Sequence, residues 1–127
     1  PVEQASEWFD TSTESPYMVL TAAVKNDSIP AVTHVNGSAR LQTVSAKHSP
    51  RYHRLLTRWG SVTGCPVLLN TSFNVRGEPI VCTPEDAYRC FRGSGLDALV
   101  LENRILDKES MPKEAGWDDY VKRFDAD

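Results

Sequence analysis

The chain has 127 residues, 40% apolar and 24% charged, and its 14 Lys+Arg against 17 Asp+Glu give a formal charge of −3. That size and composition suit one globular domain with a single core. No run reaches the roughly 18 apolar residues of a membrane-spanning helix, and the N-terminus lacks the basic-then-apolar layout of a secretory signal. Three widely spaced cysteines, Cys65, Cys82 and Cys90, support neither a disulfide framework nor a CxxC zinc site, so a cytoplasmic domain is expected. The net charge hides its distribution: residues 28–77 carry six bases and no acid, between an acidic start with five acids and one base and an acidic end with twelve acids and seven bases. An anion approaching that window meets cations with no carboxylate to compete.

Val2, Ala5 and Phe9 recur at near-helical spacing and predict a short helix over 2–9, ending in the polar run 10–16. Residues 17–24 read as a strand closed by Lys25-Asn26-Asp27-Ser28. Residues 31–35 and 39–45 read as two further strands about the turn dipeptide Asn36-Gly37, the second alternating so that Arg40 and Gln42 share a face. Ser49-Pro50 opens a helix, with Ser49 as cap and proline at the first helical position; Tyr52, Leu55, Leu56, Trp59 and Val62 form its inward stripe and Gly64 ends it. Arg51, Arg54 and Arg58 fall on the opposite face, which is either solvated or a subunit or domain contact.

Residues 66–70 form a short apolar run bounded by turn residues and read as a fully buried, central strand. Thr83-Pro84-Glu85-Asp86 starts a second capped helix over 84–92 with Ala87, Cys90 and Phe91 inward. Residues 96–101 read as another buried strand, continued by 104–107. Beyond Glu109 the composition turns linker-like, and Trp117, Tyr120, Val121 and Phe124 then make a helical stripe expected to pack on its own domain. The alternation of strands and helices predicts an α/β fold with helices packed on a sheet.

The chemistry-bearing segment is Asn70-Thr71-Ser72-Phe73-Asn74-Val75-Arg76-Gly77-Glu78-Pro79-Ile80, directly after the expected buried strand. Loops at the carboxyl ends of strands bind ligands because their amides are free and the strand fixes their direction. Asn70, Thr71, Ser72 and Asn74 offer short donors and acceptors, Arg76 a planar fork suited to phosphate or carboxylate, and Gly77 a close backbone approach. Two readings stay open: a ligand loop, or a connection whose Asn and Ser satisfy their own backbone while Arg76 pairs with Glu78. Arg40 is the second candidate; were strand 39–45 beside strand 66–70, Arg40 and Arg76 would converge on one oxyanion. His34 and Gln42 are candidates of the same kind, against a plain structural role.

The sequence holds neither a GxxxxGK[ST] loop nor GxGxxG, so the standard nucleotide loops are absent. His48 and His53 lack a carboxylate at ligand spacing, and the cysteines sit in apolar or helical contexts, which argues against a protein-bound metal and a thiol nucleophile. Nucleic-acid binding finds only three arginines on one amphipathic helix, without interleaved aromatics.

The runs 29–44, 66–81 and Thr83-Pro84-Glu85-Asp86-Ala87 resemble the C-terminal domain of the NodU/CmcH family of O-carbamoyltransferases, a likeness that covers about residues 1–107. The resemblance implies a YrdC-like fold, similar to threonylcarbamoyl-adenylate synthases, with a twisted mixed sheet and packed helices. It implies ATP and carbamoyl phosphate as substrates, Mg2+ with the ATP, and a metal-holding Kae1-like N-terminal domain as partner that passes the carbamoyl group to a hydroxyl. By matched motif, the Asn70-Thr71-Ser72-Phe73-Asn74 loop takes the place of the signature lining the nucleotide and carbamoyl pocket, and Arg40 and Arg76 those of the oxygen-holding arginines. Family members reach this region through a Lys- and Arg-containing segment that would end just before Pro1. A domain over 1–109, truncated at its N-terminus, followed by a tail over 110–127, is therefore expected.

The leading reading is thus a domain that forms carbamoyl-adenylate, catalysed by Arg40 and Arg76 and lined by Asn70, Thr71, Ser72, Asn74, Gly77, His34 and Gln42. The alternatives are a non-catalytic anion or nucleotide-binding module, and an interaction domain that docks an acidic partner through Arg51, Arg54 and Arg58. Neither nucleic acid nor membrane is expected as a partner, and the oligomeric state stays open.

Overall fold

The computed structural model describes residues 1–112, 116–117 and 119–124. The chain divides into two compact units, Pro1–Asn70 and Thr71–Asp127.

In the first unit a 3₁₀ turn, Val2–Gln4, runs into the one-turn helix α1 (Ala5–Trp8), as the 2–9 periodicity predicts. Strands β1 (Leu20–Ala23) and β2 (Ser38–Leu41) pair antiparallel, with Thr21 opposite Arg40 and Ala22 opposite Ala39. Trp8 and Phe9 from α1 and its end, Ala22 from β1, Ile29, and Ala39 and Leu41 from β2 make the buried cluster. Burying one large apolar side chain contributes roughly 1.5–3 kcal/mol, so these few residues carry most of what holds the hairpin to the helix.

Four features of this unit depart from the sequence reading. The strand expected at 17–24 begins only at Leu20, and Met18 before it has φ +56°. The strand expected at 31–35 is a 3₁₀ turn, Pro30–Val32, because Pro30 presets a turn start and donates no ladder hydrogen bond; Thr33 to Gly37 form the tight turn into β2, with Gly37 at φ +77°. The strand expected over 39–45 stops at Leu41, where Thr43 turns away to exchange hydrogen bonds with Ser15 at 2.8 and 2.9 Å. Residues 66–70 are irregular rather than a central strand: Pro66 removes a ladder donor, Val67 packs on the core, and Leu69 is left 63% exposed.

Helix α2 (Pro50–Thr63) ends on Gly64 in the left-handed conformation, as predicted, and begins with proline. Ser49 stands at the cap position, but its side chain makes no capping bond. Of the expected inward stripe only Leu56 is buried; Leu55, Trp59 and Val62 are exposed, Val62 at 68%. The covered face instead centres nearer Gly60, where Pro66 lies so close that an added Cβ would meet its ring at 2.8 Å. Arg51, Arg54 and Arg58 are exposed.

The second unit is built on helix α3 (Pro84–Gly93) and the antiparallel hairpin of β3 (Ala98–Leu101) and β4 (Arg104–Asp107). Thr83 and Asp86 close a full capping box, each accepting from the other's amide at 3.1 Å. Ala87 and Phe91 of α3 and Leu99 of β3 form the core, with Phe73, Val81 and Leu106 against it; Cys90 is buried on the same helix. The strand at 96–101 starts at Ala98, and 104–107 returns beside it through Glu102 at φ +52°. Among the described residues the strands are therefore two separate two-stranded antiparallel sheets with helices against them, an α/β arrangement of smaller sheets than the one expected. No described helix is long and apolar enough to cross a membrane.

Candidate functional site

A cleft of about 370 Å³ in the first unit opens beside β2. Its apolar walls come from α1 through Ala5 and Trp8, from α2 through Tyr52 and Leu56, and from the irregular segment through Val67 and Leu68. Beside Gln4 and Thr33, its polar groups include residues the sequence singled out: Arg40 and Gln42 on and just after β2, His34 in the preceding turn, and Asn70 at the end of the segment. Mostly apolar walls with a few directed polar groups are the usual build of a small-molecule site.

Each polar group is set differently. The Gln42 amide nitrogen donates to the Pro16 carbonyl at 3.1 Å, which turns its oxygen toward Asn70; the Asn70 amide nitrogen donates to that oxygen at 2.7 Å. These bonds orient both amides before any ligand arrives. His34 Nδ1 lies 3.2 Å from Asn36 Oδ1, an oxygen that also accepts from the Ser38 amide and hydroxyl. Arg40 is exposed and makes no ion pair with a described carboxylate, so its guanidinium is available to an anion.

The remaining predicted residues, Thr71, Ser72, Asn74, Arg76 and Gly77, belong to the second unit. Here the loop is bonded largely to itself. The Ser72 hydroxyl donates to Asn74 Oδ1 at 2.6 Å, and Asn74 Nδ2 donates to the carbonyls of Val75 and Glu78 at 3.1 and 2.9 Å. The Val75 amide donates to Glu78 Oε2 at 3.0 Å. Thr71 and Arg76 are exposed, and Gly77 has φ +81°. Glu78 does not pair with Arg76: the Tyr120 hydroxyl donates to its other carboxylate oxygen. Burial pushes the Glu78 carboxyl up, but the Tyr120 hydroxyl and the Val75 amide outweigh it and hold the group below its ordinary range.

Other participants lay outside the sequence-based candidate site. Trp8 and Tyr52 supply aromatic wall; Tyr52 stood in the predicted stripe of α2, which was a usable sign, whereas the partnership of Glu78 with Tyr120, 42 residues on, left no local trace. His53 meets a carboxylate after all, Glu3 at 2.7 Å, and that pair joins α2 to the first turn of the chain.

The Carbamoyltransferase C-terminus family matches residues 1–108. The chain belongs to this family. Among relatives of the carbamoyltransferase C-terminal domain, an uncharacterized protein of Synechocystis is 41% identical over 98% of this chain and 24% of its own length. Nodulation protein NolO of Bradyrhizobium diazoefficiens is 43% identical over 84% of this chain and 20% of its own length. A 3'-hydroxymethylcephem-O-carbamoyltransferase of Amycolatopsis lactamdurans is 38% identical over 79% and 19%. The carbamoyltransferase C-terminal chain thus spans about a quarter or less of these relatives.

Proposed function

We propose that the chain is the YrdC-like substrate-activating domain of a cytoplasmic O-carbamoyltransferase. It takes ATP, with its Mg2+, and carbamoyl phosphate, and forms carbamoyl-adenylate for transfer to a hydroxyl by a Kae1-like domain. Water first takes the phosphoryl group of carbamoyl phosphate, which breaks the bond from phosphorus to the carbamoyl oxygen and leaves carbamate and inorganic phosphate. In the activating step a carbamate oxygen then bonds to the α-phosphorus of ATP as the bond from that phosphorus to the α–β bridging oxygen breaks, and pyrophosphate leaves.

The observation that carries this reading is the cleft itself, lined by an exposed guanidinium that pairs with no described carboxylate, by two amides bonded to each other, and by apolar and aromatic wall. Adenylation needs no covalent protein intermediate, only charge neutralisation and alignment of the attacking oxygen. Arg40 is suited to the first task, as a delocalised cation that binds phosphate oxygens in a fixed geometry. Gln42 and Asn70 suit the second, and Trp8 and Tyr52 offer faces for a base. Arg76 and the Ser72–Asn74 turn carry the roles that the family motif implies for them.

Calorimetry on the full-length protein tests this. ATP and carbamoyl phosphate should bind, Arg40→Ala and Arg76→Ala should each weaken binding about tenfold, the loss of one charge-assisted contact, and pyrophosphate release should require the carbamoyl donor. Unchanged affinity in both variants would overturn the assignment; affinity without donor-dependent pyrophosphate release would leave a binding module.

A further inference from the structure

The loop after residue 70 lies outside regular secondary structure; the Glu78 amide donates to the Val75 carbonyl at 3.1 Å and the Val81 amide to the Phe73 carbonyl at 3.0 Å, and side chains add the further bonds that hold its shape. Those side chains form one chain of hydrogen bonds. The Tyr120 hydroxyl donates to Glu78, the Glu78 carboxylate accepts from the Val75 amide while its carbonyl accepts from Asn74, and Asn74 accepts from Ser72. The outermost member comes from a segment beyond the 1–108 match, and Tyr120 is only 5% exposed.

Two glycines seat that segment. A Cβ on Gly93, at the end of α3, would run into the Tyr120 ring, and one on Gly77 would run into the Phe124 backbone. Contacts with α3 hold it from the other side: Trp117 stands edge-on to Tyr88 at 6.4 Å, and the Arg92 guanidinium sits 5.8 Å from the Trp117 ring; within the segment Tyr120 lies 6.1 Å from Trp117 and 5.4 Å from Phe124. One end of the segment is thus anchored on α3, and the other grips the loop at Gly77 and Glu78. Packing alone would account for the rings; it does not account for a hydroxyl aimed at the one carboxylate that closes the loop.

We propose that the segment is a strap and Tyr120 a positioning residue: through Glu78 it fixes the conformation of the 71–80 loop, and with it the presentation of Ser72, Asn74 and Arg76 to ligand. The effect on ligand rests on the functional reading above; the effect on the loop does not. A partly buried chain of hydrogen bonds anchored on the buried Tyr120 stiffens what it joins, and removing its terminal donor frees the carboxylate to let go of the Val75 amide.

Amide hydrogen exchange on the intact chain separates the strap from simple packing. Tyr120→Phe keeps the ring and removes the donor; Val75 exchange should accelerate at least tenfold while amides of the β3–β4 hairpin keep their rates. Glu78→Gln, which replaces an accepting oxygen by a donor, should reproduce the effect, and Lys122→Ala on the exposed side of the segment should not. Unchanged Val75 exchange in Tyr120→Phe overturns the proposal, and so does equal acceleration throughout the unit, which marks a merely structural role. The same variant should bind ATP or carbamoyl phosphate about fivefold more weakly. If the parent protein binds neither, the functional reading fails and the exchange rates alone decide the strap.

Discussion

Cys90 and Tyr120 both face the Glu78 carboxylate, and its charge works on them in the same direction. Burial first, then the hydrogen bond and charge of Glu78, push the Cys90 thiol up to about 11 and the Tyr120 phenol up to about 12. Both groups are therefore neutral at physiological pH, and Cys90 behaves as a small buried hydrophobe rather than a nucleophile. Because both values are raised, their contribution to stability is complete below the ordinary 9.0 and 10.0, and is lost as pH climbs through about 11 and 12. Glu78 has the opposite sign. Its carboxyl is held low, so its contribution is present above the ordinary 4.5 and disappears as pH falls below that value. Phenolate absorbance over an alkaline titration checks the first part: Tyr120→Phe should delete a step near 12. A titration that Tyr120→Phe leaves unchanged near 12 would contradict it.

At the scale of elements, α3 carries the second unit because Phe91 is wholly buried between it and the hairpin, whereas the hairpin's other face leaves Ile105 72% exposed. Phe91→Ala should cost about 3–5 kcal/mol, from lost transfer energy and the cavity left behind. Ile105→Ala should stay within about 0.5 kcal/mol, as a surface change does. Denaturant melts of the two variants measure the contrast, and comparable losses would mean that the hairpin's outer face is covered. The elements the sequence disclosed are those whose signals are local. Thr83, Pro84 and Asp86 announced α3 within four residues, Gly64 the end of α2, and Asn36-Gly37 the turn before β2. What it concealed depends on distant partners. An apolar run such as 66–70 is a strand only if another strand accepts it, and with Pro66 at its head it packs side chains without a ladder. In the same way, Arg40, Gln42, His34 and Asn70 were legible as candidates from residue type and motif, but the bond that joins Gln42 to Asn70 spans 28 positions, and no spacing rule contains it.

For the whole molecule, the acid-free window 28–77 resolves into cations of different standing. Arg40 lines the cleft, Lys47, Arg51, Arg54 and Arg58 lie on or just before α2 with exposed side chains, and Arg76 belongs to the second unit. If the proposed site takes ATP, the exposed α2 cations would act on it through solvent, and such interactions are screened over roughly 8 Å at physiological ionic strength and 3 Å at 1 M. A guanidinium in contact with the ligand is screened far less. In about 50 mM salt, the triple variant Arg51→Ala, Arg54→Ala, Arg58→Ala should weaken ATP binding by less than about threefold, and the deficit should vanish by about 0.5 M. The deficit of Arg40→Ala should persist at both, because it reflects a lost contact rather than a lost field. Calorimetry across that salt range distinguishes the two. A triple-variant deficit that survives high salt would place the α2 arginines on the ligand, and would make the basic window one binding surface instead of a site with a favourable background.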